Sequence, residues 1–271
     1  MKEKKLTLHR THLGSRYTPA RARARALVMA GALAMAATPL AATSAAAAGP
    51  QAGPSAASAL DEPPAAVDWR VGLAVTLAHD KGQCLELASQ AYATAAALEG
   101  AWVIQNHHLL KSFKPRITNA AGQDIYSDLC GEPRPPLGAA FPAGAFKEWL
   151  PVASGDEEAL RAAVARGPVR TKIDASHASF QLYNSDVYDE PLCSATQTDH
   201  WVTVVGYGTT LAGEDYWTVK NDYGTTWGEL GFIRMSRNKD NQCGIATAAE
   251  EPVLNPAPYT APAQNPWPVF P

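Results

Sequence analysis

The sequence predicts an α+β fold, and three observations carry that prediction. Residues 199–234, DHWVTVVGYGTTLAGEDYWTVKNDYGTTWGELGFIR, read as a hydrophobic strand at Val202–Val205, a Gly206-Tyr207-Gly208 turn and a second strand at Tyr216–Val219. A glycine-punctuated loop then leads to a third strand near Phe232. Upstream, Ser154 and Glu157 have capping-box spacing, Asp156, Glu157 and Glu158 fill a first helical turn, and Gly167-Pro168 stops the helix before a strand at Val169–Ala175.

This pattern puts His200 at the start of one strand and Asn221 at the end of the next. As antiparallel neighbours the two would lie side by side. The Asn221 side-chain oxygen could then accept from the imidazole and fix its tautomer, as the third member of a catalytic triad does. His200 followed by VVGYG, then YWxVKN, then WGxxGFIRM resembles the C-terminal half of the papain family of cysteine peptidases. VDWR at Val67–Arg70 and DKGQC at Asp80–Cys84 resemble that family's mature N-terminus. The resemblance implies a two-subdomain fold, with a helical N-terminal half, an antiparallel β-rich C-terminal half and a peptide-binding cleft between them. It also places His200 and Asn221 at the family's histidine and asparagine.

The nucleophile does not follow. Where the family reads GxCGSCWAFSxxxxLEG, this chain reads GQCLELASQAYATAAALEG. Counting back from Leu98-Glu99-Gly100 puts Ser89 at the catalytic cysteine. Counting forward from Gly82-Gln83-Cys84 puts Leu87 there, and an insertion of Leu85 and Glu86 reconciles the two. Ser89 is then either a nucleophile with His200 as general base or an N-cap of the following helix. Lys81 stands at the family's oxyanion glutamine, Gln90 at its tryptophan, and Asp222-Tyr223 at its Ser-Trp, so Tyr223 would shield the Asn221–His200 bond. These changes cluster on the chemistry, whereas Trp217, Gly224, Trp227 and Gly228 are kept.

The resemblance pairs Cys84 with Cys130 and Cys193 with Cys243; the alternative makes Cys84 a displaced nucleophile. His200 follows Ser89 by 111 residues, fewer than the roughly 130–150 expected of papain-like enzymes. A trimmed substrate wall in GEPRPPLGAAFPAG would account for the difference. His107-His108 lacks a third ligand at metal spacing and reads as solvated surface, and His177 as a loop residue; neither a metal nor a cofactor is expected.

Residues 1–48 carry eight Lys or Arg, an apolar run at 26–37 and small residues from Thr43, the pattern of a secretory signal with A-x-A cleavage options. Thr38-Pro39 interrupts the run too early for a membrane span. Removing this leader takes away a net +7, so the formal charge of −3 becomes −10, which argues against nucleic-acid and anionic-membrane partners. Residues 49–66 read as a flexible linker too short for the family's propeptide, 67–254 as the peptidase-like domain and 255–271 as a proline-rich, disordered tail. The expectation is an exported, monomeric papain homologue, inactive or impaired, that binds peptide or protein in its cleft. A Ser89–His200–Asn221 hydrolase and a Cys84 peptidase stand as alternatives.

Overall fold

In chain order the elements are β1 (Val67–Asp68), α1 (Leu87–Asn106), β2 (Thr118–Asn119), β3 (Phe146–Pro151), α2 (Glu157–Arg166), β4 (Val169–Ile173), α3 (Ala178–Gln181), β5 (Val187–Tyr188), β6 (His200–Thr209), β7 (Asp215–Lys220), β8 (Phe232–Ser236), β9 (Glu250–Leu254) and β10 (Val269–Phe270). The computed structural model describes residues 62–84, 86–108, 118–119, 141–259 and 269–270, all within one compact unit. The expected leader, Cys130 and most of the tail beyond Tyr259 lie outside the described residues. Among those residues no helix is long and apolar enough to cross a membrane.

One eight-stranded sheet runs β3-β9-β4-β6-β7-β8-β5, with β1 added to β6; β5 joins β8 in parallel and its other pairings are antiparallel. Strand β6 is buried without a break from Val202 to Gly208, as expected of a strand packed on both faces. Helices α1 and α2 both pack against it. Val164, Val169, Ile173, Val204, Trp217, Val219, Ile233 and Ile245 fill the core beside it. Gly206 is required there because a Cβ would stand 2.3 Å from the Val67 carbonyl oxygen of β1.

Helix α1 is alanine-rich, which favours helix and allows close approach to the sheet. Ala88, Ala91, Ala95, Leu98 and Trp102 form a buried stripe at helical spacing. The helix is pinned from below by Thr203, whose hydroxyl donates to the Ala93 carbonyl at 3.2 Å. Arg170 of β4 adds a second pin: it donates to Thr94 Oγ1 at 2.6 Å, pairs with Glu250 at 2.6 Å and lies 3.6 Å from the centroid of the Trp149 ring.

Three expectations need correction. Gly206-Tyr207-Gly208 is not a turn but part of β6, paired with β7, and the chain reverses at 210–214 instead. The N-cap of α1 is Glu86 rather than Ser89, which lies inside the first turn. The N-cap of α2 is Asp156, whose carboxylate accepts from Ala159 N, while the Ser154 hydroxyl donates instead to the Thr247 carbonyl. Glu157 is drawn away from any capping box because its carboxylate accepts from Trp217 Nε1 and from the backbone of Asn238, Lys239 and Asn241. Hydrogen bonds also reach residues on either side of 67–254. Pro63 and Pro64 accept bonds from Arg161 and Tyr207, and Asn255 and Tyr259 bond to Ala145 and Asn106.

Candidate active site

His200 opens β6, and β7 ends at Lys220 opposite Thr203, so the next residue, Asn221, leaves its strand near the start of β6. His200 Nε2 donates to Asn221 Oδ1 at 2.7 Å. Asn221 is steadied by its own N–H bonding the Gly231 carbonyl. The Tyr223 ring lies 5.2 Å from the imidazole and is backed by Phe180 and Trp227, so the bond is shielded from water by an aromatic group. His200 is 2% exposed.

The segment 78–84 closes the site from the N-terminal side. It is held by Lys81 N to the Asp222 carbonyl at 2.8 Å and Gly224 N to the His79 carbonyl at 3.0 Å. Gly231 permits this closure, since at φ +89° a Cβ would stand 2.2 Å from that of Ala78. Lys81 is therefore not a solvated surface lysine: its side chain is 10% exposed, and Nζ donates to Ser89 Oγ at 2.7 Å and to Glu86 Oε2 at 2.5 Å.

Sequence reasoning passed over Glu86 as part of an insertion, yet it takes the central position. Its Oε1 accepts from His200 Nδ1. Acceptors thus face both ring nitrogens, which is the arrangement of an imidazolium. Burial alone would lower the His200 pKa, but the bond to Glu86, then Asp222 and Asn221, reverse this and raise it. Burial alone would raise Glu86, but His200 and Lys81 draw its carboxyl down to about 2. Asp222 is buried with Oδ1 3.7 Å from His200 Nε2, and burial raises its pKa against the pull of His200 and Lys81. The one local signal for Glu86 is an acidic residue immediately before the first residue of α1.

Ser89 is fully buried, and among the described residues no hydrogen bond joins it to His200. Cys84 is disulfide-bonded, which removes the thiol needed by the displaced-nucleophile alternative; its expected partner Cys130 lies outside the described residues. Cys193 and Cys243 form the expected disulfide. His177 is the N-cap of α3, 3.4 Å from Asp174. Cys193 completes a group of metal-like proximity with these two, but its sulfur belongs to the disulfide. His107 and His108 are exposed beyond α1.

A histidine opening one strand and an asparagine just past the end of its antiparallel neighbour, packed under an aromatic ring and facing the N-terminal turn of a buried helix, define a class of site: an imidazole oriented by an amide oxygen. The family model described as papain family cysteine protease matches residues 143–253. The chain is 36% identical over 226 residues to a cathepsin L-like peptidase of Aedes aegypti, covering 71% of this chain and 65% of that protein. It is 39% identical over 224 residues to cathepsin L of Sarcophaga peregrina, covering 70% and 64%. Among solved structures, the proform of the ragweed pollen allergen Amb a 11, a cysteine protease, matches with a TM-score of 0.57 and 31% identity, covering 72% of this chain and 67% of that one. The chain belongs to the papain family of cysteine peptidases, and it spans under two thirds of the length of these two cathepsins.

Proposed function

We propose that this chain has kept the papain-family cleft without peptide hydrolysis, and that it acts as an exported, monomeric binder of peptide or protein segments. The observation that carries this reading is Glu86. In the family, the imidazolium is paired with a thiolate, which is the nucleophile. Here it is paired with a carboxylate, a far weaker nucleophile toward an amide. Neither residue that could replace the thiolate is presented to His200: Ser89 is buried under Lys81, and Cys84 is disulfide-bonded. An imidazolium held between two acceptors has no free lone pair with which to deprotonate a serine. The basic and apolar leader supports export. The net negative charge of the chain supports the expectation of neither nucleic-acid nor anionic-membrane partners.

One observation favours the Ser89 hydrolase as a second reading: Lys81 Nζ lies 2.7 Å from Ser89 Oγ, the contact of a Ser–Lys pair. Incubating the protein with a peptide mixture separates the two readings by mass spectrometry. The binder retains a subset of peptides with intact termini. New termini that disappear in Ser89→Ala would establish the hydrolase instead.

A further inference from the structure

The donors around Glu86 differ from Glu86 itself in a way that points to a ligand. The hosts are buried: the His200 side chain is 2% exposed and that of Lys81 is 10% exposed. The guest is 45% exposed. Each carboxylate oxygen meets a different cation, Oε1 the His200 Nδ1 and Oε2 the Lys81 Nζ at 2.5 Å. Glu86 precedes the first helical residue of α1 and makes no side-chain capping bond. Its side chain can therefore rotate into solvent without opening helix or sheet. Once it leaves, an ammonium and an imidazolium face one another nearly out of water. The buried Asp222 lies 3.7 Å from His200 Nε2, on the Asn221 side of the ring, and the carboxylate oxygens at Nδ1 and at Nζ are both lost, an unfavourable state until another anion takes their place.

We infer that His200 and Lys81 form a carboxylate receptor which Glu86 fills in cis, and that the ligand of this cleft carries a free carboxylate that displaces Glu86 from it. This rests on the binder reading and deepens it. Two donors on two separate side chains, each satisfying one oxygen, fit a planar carboxylate. The position of Ser89 beneath Lys81 fixes the ammonium for that task. The carboxylate can come from the C-terminus of a peptide or from a small carboxylic acid. The tethered Glu86 competes at high effective concentration, so affinity for either source is weakened in the native chain.

Calorimetric titration with a peptide in free-acid and C-terminally amidated forms, and separately with acetate, tests this in Glu86→Ala and in the native chain. The proposal expects Glu86→Ala to bind the acid form at least tenfold more tightly than the amide, and at least tenfold more tightly than the native chain does. A further Lys81→Met change should erase the preference. Saturable acetate binding without peptide preference would support the receptor and assign the small acid as its ligand. Equal binding of acid and amide, with no response to acetate, would overturn the receptor while leaving peptide binding intact. Cleavage of either peptide by the native chain would overturn the binder reading instead. Glu86→Gln keeps the side-chain shape and serves for the same comparison if Glu86→Ala does not fold.

Discussion

Replacing Glu86 with Gln keeps the side chain's shape and removes one charge of the buried-edge pair with His200. A carboxyl drawn from 4.5 to about 2 corresponds, at about 1.36 kcal/mol per pH unit, to roughly 3 kcal/mol. Glu86 is 45% exposed, and screening by solvent reduces this to about 1–2 kcal/mol. The sign follows from both partners. The lowered carboxyl stabilises the fold above its unfolded value of 4.5, and this contribution is lost as pH falls toward about 2. The raised His200 contributes fully below its unfolded value of 6.5, and its contribution is lost as pH rises through the folded value. Stability measured by urea unfolding should therefore differ most between native chain and Glu86→Gln from about pH 4.5 to 6.5. The two curves should converge in stronger acid and draw closer, without meeting, once His200 loses its proton, because Glu86 still pairs with Lys81, and the His200 ring followed by NMR should titrate lower in the variant. Parallel pH profiles with an unmoved His200 would refute the ion pair.

Other sites give separate tests. Glu157→Ala strands the buried Trp217 indole N–H and frees three backbone N–H groups between Asn238 and Asn241; a loss of roughly 2–4 kcal/mol is expected in urea unfolding. Gly231→Ala forces a Cβ against Ala78 at a positive φ and should lose roughly 2–4 kcal/mol by the same measurement. Lys220 is buried, and burial brings its pKa down from 10.5 to about 8 against the pull of Glu99. The unfolded chain therefore holds a proton that the folded chain gives up above about pH 8. Stability should gain a rising component from about pH 8 to 10, and that rise should vanish in Lys220→Met.

Much of the β-rich half was legible because its signals are local. Val202–Val205 and Tyr216–Val219 are largely apolar runs, and the structure forms β6 and β7 over both, although the glycines at 206 and 208 extend β6 instead of ending it. His200 and Asn221 followed, since antiparallel pairing alone brings them together. Strands β3 and β9, with sequences FKEWLP and EEPVL, carried no such signal. They are polar and proline-containing and become strands by pairing with each other and, through β9, with β4 at one edge of the sheet, a tertiary effect that single-chain patterning does not register. The caps were misread for a related reason: the spacing of Ser154 and Glu157 fits a capping box, but the loop at 238–241 competes for the Glu157 carboxylate. Glu86 was hidden because its role depends on His200, which lies 114 residues away.

Whether any nucleophile serves His200 is decided by labelling. The unreduced protein is treated with a thiol reagent, an epoxide directed at papain-like thiolates and a fluorophosphonate directed at activated serines, and each adduct is mapped by mass spectrometry. No free thiol and no adduct at Cys84 or Ser89 are expected. A fluorophosphonate on Ser89 that requires His200, or an epoxide on Cys84, would contradict the binder reading.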